Sequence, residues 1–196
     1  MLSIAKEQDK LDPRVKRTRQ LLEKAFVELL GEKGFQAITV QDIAERAGVN
    51  RATFYPHFND KYDLLDYTIR QGFLAEIERR MLNACHYSPE NLRNLIVAVC
   101  EFTHGINSHC KPPQNQYESL VETQVKGVLY DVLLNWLKQV EVDLAPETAA
   151  TAASWAIYGL ALQWSHEKQP QPVDQFAEQV LPLVAANLKL TATDLS

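Results

Sequence analysis

The stretch between Asn50 and Lys61 carries the side chains whose chemistry most strongly suggests a function. Its polar members offer a guanidinium, two hydroxyl groups, an imidazole and an ammonium group: Arg51, Thr53, Tyr55, His57 and Lys61. A guanidinium can donate two hydrogen bonds to the major-groove edge of guanine. Hydroxyl, imidazole and ammonium groups bind phosphate oxygens and fix the register of a protein on a duplex. The stretch therefore predicts a nucleic-acid-binding surface.

A short amphipathic helix is predicted immediately before this surface. Thr39 and Asp42 have the spacing of a capping box, in which each side chain accepts a hydrogen bond from the other residue's backbone N–H. Gly48 can adopt the left-handed conformation that ends a helix. Between these two signals, apolar residues recur on one helix face: Val40, Ile43, Ala44 and Ala47.

A second short helix is predicted to begin at Asn50, which is a favourable N-cap. Phe54 and Phe58 lie one turn apart and should face inward, which leaves the polar side chains outside. Pro56 has no N–H to donate to Ala52, so we expect this helix to end early. A helix, a glycine turn and a helix with a basic, aromatic outer face predict a helix-turn-helix DNA-binding motif. The same pattern without that face also occurs in ordinary all-α proteins.

Longer helices are predicted on both sides of the motif. The first runs from about Arg14 or Thr18 to Gly31, and glycines 31 and 34 are expected to break it. After the motif, Asn59 and Asp60 can cap a helix that carries Lys61 in its first turn and reaches about Cys85. The first helix has an apolar face: Leu22, Ala25, Phe26, Leu29 and Leu30.

Residues 18–65 closely resemble the N-terminal domain of the TetR family of bacterial transcriptional regulators. The resemblance lies in the Glu-Lys-Gly-Phe turn at 32–35, in the Thr-Val, Ile-Ala and Ala-Gly-Val elements within 39–49, and in Phe-Tyr-x-His-Phe with a following lysine at 54–61. Pro56 departs from the family, which usually carries a polar or basic residue there.

The resemblance implies a homodimeric, sequence-specific regulator that binds double-stranded DNA at a palindromic operator. It favours a repressor released by a small-molecule effector of unknown identity. We assign Arg51 and Thr53 to base edges, and Thr39, Tyr55, His57 and Lys61 to phosphates. The whole predicted DNA-binding set is Thr39, Gln41, Asn50, Arg51, Ala52, Thr53, Tyr55, His57 and Lys61.

The charge of the chain divides at about residue 60. Residues 1–60 contain ten Lys/Arg and nine Asp/Glu, a net charge of +1, whereas residues 61–196 contain ten and sixteen, a net charge of −6. We therefore predict a helix-turn-helix domain with a basic N-terminal arm at 1–60 and a helical effector-binding and dimerisation domain at 61–196. Only the local face matters for phosphate binding. Four basic residues near the start either contact phosphates or form a solvated tail: Arg14, Lys16, Arg17 and Arg19.

The remainder of the chain is predicted to be all-α. Helix starts occur at Ser88-Pro89-Glu90 and Ala145-Pro146-Glu147, and further helices are expected over about 115–142 and 173–190. No apolar run is long enough to span a membrane, and the first residues do not resemble a secretion signal. Three cysteines are too few for a disulfide framework. We therefore expect a cytoplasmic protein with free thiols.

Two sets of residues are candidates for the effector pocket and the dimer interface. Aromatic walls with a few polar groups are typical of ligand pockets, although each of these residues is also an ordinary core residue: Phe102, His104, Tyr117, Gln124, Trp136, Trp155, Tyr158 and Trp164. The family resemblance implies that the last two helices pair between subunits, although the same faces could close an intramolecular core: Ala149, Ala153, Ala156, Phe176, Val180 and Val184.

Catalysis is not expected, because the sequence has no glycine-rich phosphate loop, nucleophile elbow or marked pair of carboxylates. No cofactor or metal is expected either, and sensing by Cys100, His104 and Cys110 is a minor alternative. Two other hypotheses stay open: a DNA-binding regulator controlled by a protein partner, and an α-domain whose motif no longer binds DNA. A closed aromatic cavity would favour a small effector, and a solid core with an exposed apolar patch would favour a protein partner.

Overall fold

The computed structural model describes residues 12–80, 85–109, 115–141 and 143–188. Within these ranges the chain forms seven α-helices and two short 3₁₀ turns, and it contains no β-strand. The predicted all-α class is confirmed. In chain order the elements are α1 (Pro13–Lys33), η1 (Phe35–Ala37), α2 (Val40–Ala47), η2 (Arg51–Thr53), α3 (Lys61–Arg80), α4 (Pro89–His109), α5 (Asn115–Leu137), α6 (Pro146–Ser165) and α7 (Val173–Leu188).

Helix α1 begins where the Asp12 carboxylate accepts a hydrogen bond from the backbone N–H of Arg14 at 2.8 Å. It ends before Gly34, whose φ of 75° is strained for residues with a Cβ. The prediction that Gly31 breaks the helix was wrong, because α1 continues through it. One glycine inside a helix costs about 1 kcal/mol relative to alanine, and the buried face of α1 offsets that cost: Leu22, Ala25, Phe26 and Leu29.

Helix α2 has the predicted start and stop. The backbone N–H of Thr39 donates to the Asp42 carboxylate at 2.7 Å, and the N–H of Asp42 donates to the Thr39 hydroxyl at 3.2 Å. Gly48 is left-handed, with φ 68°, and its N–H closes the last turn. Lys33 lies 2.8 Å from the Asp42 carboxylate and, with Thr39, holds the pKa of that carboxyl well below its usual range. The capping box and the glycine stop are confirmed.

Two further contacts fix α2 and η1 on α1. The guanidinium of Arg46 makes a two-pronged ion pair with Glu32, at 2.8 and 2.7 Å, and lies 3.3 Å from Glu28. The ring of Phe35 packs edge-on against Phe26, with ring centroids 6.2 Å apart. An ion pair and an aromatic contact therefore both stabilise the connection between α1 and α2.

Helix α3 runs from the motif into the rest of the chain. Its first turn is capped by Asp60, whose carboxylate accepts hydrogen bonds from the N–H groups of Tyr62 and Asp63 at 2.8 and 2.9 Å. The predicted continuation through Met81 to Cys85 falls on residues 81–84, outside the described ranges. The apolar face of α3 is buried: Leu64, Leu65, Ile69, Phe73, Leu74 and Ile77.

Helices α4 to α7 begin where the sequence predicts. Ser88 caps α4 by accepting a hydrogen bond from the N–H of Asn91 at 3.0 Å. Helix α5 ends at Leu137, about five residues before its predicted end. The side-chain amide of Gln139 donates to the Asn135 carbonyl at 2.8 Å, and its backbone N–H donates to Trp136 instead. The side chain therefore takes the acceptor that would have continued the α-helix.

Ion pairs join α3 to α5 and α4 to α7 across their exposed edges. Arg70 of α3 lies 3.2 Å from Asp131 of α5, and Arg93 of α4 lies 2.8 Å from Asp174 of α7. Beneath them the core contains the fully buried indole of Trp136. Surface pairs of this kind contribute little stability, so burial of apolar side chains holds this part of the chain together.

Candidate nucleic-acid interface

The segment predicted to be a second α-helix is a tighter structure. The Asn50 side chain accepts a hydrogen bond from the N–H of Ala52 at 2.8 Å, which confirms the predicted N-cap. The next bonds, from Thr53 to Asn50 and from Phe54 to Arg51, span three residues, at 2.8 and 3.1 Å. The segment is therefore the 3₁₀ turn η2 followed by hydrogen-bonded turns, and the predicted α-helix was wrong.

Proline at position 56 explains this early end. An α-helix would need its N–H to donate to Ala52, and proline has none. Beyond the proline, the N–H groups of His57 and Phe58 both donate to the carbonyl of Phe54, at 2.9 and 3.0 Å. Phe54 and Phe58 nevertheless point inward as predicted, with 0% and 3% of their surfaces exposed.

The outward side of η2 presents Arg51 and Tyr55 as a connected pair. The Arg51 guanidinium donates a hydrogen bond to the Tyr55 hydroxyl at 2.9 Å, and its central carbon lies 5.8 Å from the centre of the Tyr55 ring. Ala52 is exposed beside them, and Thr53 and His57 are half-buried. The structure thus brings these members of the predicted DNA-binding set onto one continuous segment.

The members on α2 are exposed, but their polar groups are engaged within the helix. The Thr39 hydroxyl donates to Asp42 at 2.6 Å, and the Gln41 amide donates to the Glu45 carboxylate. Asn50 uses its side-chain oxygen in the cap of η2. A phosphate or base contact by Thr39 or Gln41 would therefore exchange one hydrogen bond for another.

Lys61 differs from the other predicted contacts. Its ammonium group turns back into the chain and donates to the carbonyl oxygens of Phe35, Gln36 and Ile38 at 3.1, 3.2 and 2.8 Å. Burial lowers the pKa of this ammonium group. Local spacing could not predict this arrangement, because the acceptors lie more than twenty positions earlier in the chain.

The four basic residues of α1 do not act alike. Arg14 and Arg17 are exposed, whereas Lys16 is half-buried. Arg19 is also half-buried, and its guanidinium lies over the rings of Phe58 and Tyr67, at 5.5 and 5.6 Å from their centroids. Arg19 therefore packs against the inner side of the motif, a role that sequence reasoning missed.

His57 lies close to this arginine. Burial, together with the charge of Arg19, lowers the pKa of His57 below its ordinary value of 6.5. The Nδ1 atom of His57 is buried and has no hydrogen-bond partner among the described residues. The neutral imidazole is therefore the form that the folded chain favours.

A pH-dependent stability should follow from His57. Below about pH 6.5 the unfolded chain binds more protons at His57 than the folded chain does. The free energy of unfolding therefore decreases as the pH falls through this range. We expect His57→Gln to lose less stability than the wild type between about pH 7.5 and pH 5.5, as measured by urea denaturation. The control His166→Gln, at an exposed site, should behave like the wild type. Equal losses in wild type and His57→Gln would contradict this role.

The predicted effector-pocket residues lie in different environments. Trp136 is fully buried, and Tyr158 and Trp164 are buried, with the Trp164 indole N–H donating to the Gln171 carbonyl at 2.9 Å. His104 is exposed and packs on Trp164. Tyr117 is also a predicted pocket residue, and its side chain lies outside the part of the chain that the structure describes. Two others are half-buried, Phe102 against Phe73 and Gln124 in a hydrogen bond to Asp66.

Trp155 does not join the others. Its side chain is 60% exposed on the outward face of α6, where the Lys126 ammonium lies 3.3 Å from the ring centre. Trp155 therefore does not face the interior with the others, because α6 directs Tyr158 inward and Trp155 outward, and its place in an effector pocket stays a prediction. Helical spacing places the two positions only about 60° apart around the axis, so only the fold shows that the boundary between the inner and outer faces falls between them.

The predicted dimer-interface residues are mostly internal. Ala149, Ala153 and Val184 are fully buried within the single chain, Phe176 and Val180 are nearly so, and Ala156 is half-buried. Helix α6 packs on α4 and α5, helix α7 packs on α4, and α6 and α7 pack on each other. In the single chain the buried residues therefore close an intramolecular core, the alternative that the sequence left open, and their place in a dimer interface stays a prediction.

The alternative of metal or thiol sensing gains no support from the described residues. Cys100 is completely buried, and burial raises the pKa of its thiol to about 12. Cys110 lies outside the described ranges, and no group of three possible metal ligands occurs within them. Cys100 is therefore a small apolar core residue.

These features define an all-α protein with an N-terminal helix-turn-helix motif, and comparison with known proteins gives its family. Residues 21–68 match the sequence profile of the bacterial regulatory proteins of the tetR family. The chain is 39% identical over 180 residues to the HTH-type transcriptional repressor KstR2 of Rhodococcus jostii, covering 82% of this chain and 85% of that protein. The chain belongs to the TetR family of DNA-binding transcriptional regulators.

Other comparisons are consistent with that membership. Identity to the HTH-type transcriptional regulator YxbF of Bacillus subtilis is 43% over 72 residues, which spans 36% of this chain and 19% of that protein. A TetR-family regulator of Streptomyces coelicolor has the same fold, with a TM-score of 0.62 at 19% identity over 90% of this chain and 97% of that one. FadR of Bacillus subtilis, solved with stearoyl-CoA, gives 0.57 at 20% identity over 86% and 98%. No helix in the described part of our chain has the length and apolar character needed to cross a membrane.

Proposed function

We propose that this regulator is a homodimeric repressor that binds a palindromic operator and leaves it when a small-molecule effector binds. The observation that carries the proposal is the outward Arg51–Tyr55 pair on η2, a guanidinium exposed at the surface and held by a phenol. A repressor is favoured because KstR2, at 39% identity, is one. Residues 1–60 would bind DNA, and residues 61–196 would dimerise and bind the effector.

The DNA contacts divide between bases and phosphates. Arg51 and Thr53 would reach base edges, a role supported by their position on the segment that follows the turn of the motif. Tyr55, His57 and Thr39 would hold phosphates on either side of it. The exposed Arg14 and Arg17 would add phosphate contacts from the start of α1.

The dimer would form through the outward faces of α6 and α7. Leu183 is 62% exposed on α7 and Trp155 is 60% exposed on α6. Exposed apolar side chains of this size suit a partner surface. Beside Trp155 lies an open, mainly apolar depression of about 590 Å³, lined also by Glu147, Thr148, Thr151 and Ala152. The exposed residues of these faces include small ones that permit close helix approach: Ala152, Gly159 and Ala186.

An effector would act through the contacts between α3 and α5. Arg70 pairs with Asp131, and Asp66 accepts a hydrogen bond from Gln124. Both polar contacts join α3, the helix that follows the motif, to α5. An effector that binds more tightly to one position of α5 than to another would shift α3 with it. In the dimer, this shift would change the separation of the two η2 segments. Because FadR of Bacillus subtilis binds stearoyl-CoA, long-chain acyl-CoA esters are the first effector class to test.

Selection of bound duplexes from a random pool by the purified protein tests the proposal. We expect an inverted repeat whose half-sites are about one helical turn or a multiple of it apart. Release of the selected duplex by stearoyl-CoA, but not by free CoA, would support an acyl-CoA effector. Absence of any enriched sequence at low salt would contradict operator binding.

Arg51→Ala should relax the base preference at one position of each half-site, at a cost of about 1–3 kcal/mol on the preferred sequence. The reason is that the variant loses two hydrogen bonds to one base of the preferred sequence. The wild type does not make these bonds with a mismatched base, so affinity for mismatched sequences changes little. The matched variant Arg17→Ala should weaken all sequences alike and reduce the slope of log affinity against log salt by about 1. Titration of single-base operator variants measures both. If Arg51→Ala weakened every sequence equally, its assignment to a base would be wrong.

A further inference from the structure

Lys61 occupies the point at which three parts of the helix-turn-helix domain meet. It is the first residue of α3, and its ammonium group donates to Phe35 and Gln36 of η1 and to Ile38 just before α2, at 3.1, 3.2 and 2.8 Å. An ammonium group has three N–H donors. In this arrangement each donor has a backbone acceptor.

The surroundings of the ammonium group reinforce the arrangement. The Lys61 nitrogen lies 4.7 Å from the centre of the Phe35 ring and 5.9 Å from that of Tyr62. Those two rings pack edge-on, with centroids 4.9 Å apart. Aromatic faces attract a cation most strongly when water is excluded. The half-buried charge therefore lies against carbonyl oxygens and aromatic rings of its own domain.

This contact bears directly on η2. Ile38 lies two residues before α2 and Lys61 begins α3, so the two ends of the segment that contains α2 and η2 are joined at 2.8 Å. Ile38 is also buried, with 1% of its surface exposed. Fixing both ends of a segment restricts the orientations that the segment can adopt.

We propose that Lys61 is a positioning residue for DNA binding: its ammonium group ties the α1–α2 connection to the start of α3 and so sets how η2 meets the major groove. The inference rests on the proposed operator binding. It replaces the phosphate contact that the sequence predicts for Lys61.

Arginine and methionine substitutions distinguish the two roles. A phosphate contact tolerates Lys61→Arg, because a guanidinium also binds phosphate. Three carbonyls that converge on one nitrogen do not suit a planar fork of donors. Lys61→Met keeps most of the stem but removes the donor that the three carbonyls share, although the Phe35 carbonyl keeps the Ile38 N–H at 3.2 Å as another donor.

The affinity of each variant for the selected duplex should be measured against salt, at a temperature where circular dichroism shows it folded. We expect Lys61→Arg and Lys61→Met both to lose about tenfold or more in affinity, with the salt slope of the wild type. The control Lys138→Met, at an exposed site directly after α5, should bind like the wild type. Full affinity in Lys61→Arg, with a slope reduced by about 1 in Lys61→Met, would overturn the proposal.

A measurement on the wild type decides the question even if a variant fails to fold. Nitrogen-15 NMR of the lysine ammonium groups should show couplings from Lys61 to carbonyl carbons, both in the free protein and on DNA. A coupling from Lys61 to a DNA phosphorus in the complex would overturn the positioning role. Failure of the proposed function would look different, since the wild type would then bind no duplex at all.

Discussion

Replacing Trp155 and Leu183 together with glutamate is expected to leave the chain folded but monomeric, with operator affinity about 10²–10⁴-fold lower. Both side chains are mostly exposed in the single chain, so exchange for a charged residue there should change the free energy of unfolding little. In the proposed dimer, the new carboxylates would be buried against apolar surface without partners. Each monomer would then hold one half-site without the gain in effective concentration that the second provides.

Sedimentation equilibrium and titration of the selected duplex measure the two parts of this result. Val27→Glu is the matched control, since it also places a carboxylate at a half-exposed apolar site, on α1. That control should remain dimeric. A double variant that still sediments as a dimer would show that the subunits meet elsewhere.

Phe54→Ala should lower the free energy of unfolding by about 3–5 kcal/mol, the usual range for a buried phenylalanine. The Phe54 ring is fully buried and packs against Phe58, with centroids 5.8 Å apart. It is the largest apolar anchor of η2, whose short 3₁₀ turn has few backbone hydrogen bonds of its own. Removing it leaves a cavity that the surrounding helices can fill only in part.

Urea denaturation followed by circular dichroism tests this expectation. Tyr55→Ala is the matched control, because the neighbouring ring is 46% exposed on the outer side. It should change stability by no more than about 0.5–1 kcal/mol. A similar loss in both variants would mean that η2 is not anchored through Phe54.

The features that the sequence predicted correctly depend on neighbours in the chain. The capping box of Thr39 and Asp42, the cap at Ser88 and the left-handed Gly48 each involve residues within four positions. Short-range bonds of this kind follow from spacing alone. Gly31 shows the limit of such reasoning, since tertiary packing of α1 outweighed a local preference.

The features that sequence reasoning missed depend on distant partners. The acceptors of Lys61 lie 23 to 26 positions away, and Arg19 stacks on rings of residues 58 and 67. Helix α6 has small residues on two faces, and periodicity could not tell the face against α7 from the outward one that carries Trp155. Which stripe is internal depends on the neighbours that the fold supplies.

In the proposed complex with DNA, the hydrogen bond between Arg51 and Tyr55 would affect how quickly the regulator searches a genome. A free arginine side chain loses close to 2 kcal/mol of rotamer entropy when it is fixed. In this chain part of that loss has already occurred before DNA arrives, because the guanidinium is hydrogen-bonded to the phenol and lies over its ring. A side chain held in this way can be compared with each base step during sliding without first finding its own conformation. Time spent at wrong sites would then be set by phosphate contacts, and the lifetime at the operator by the fit of one ordered side chain.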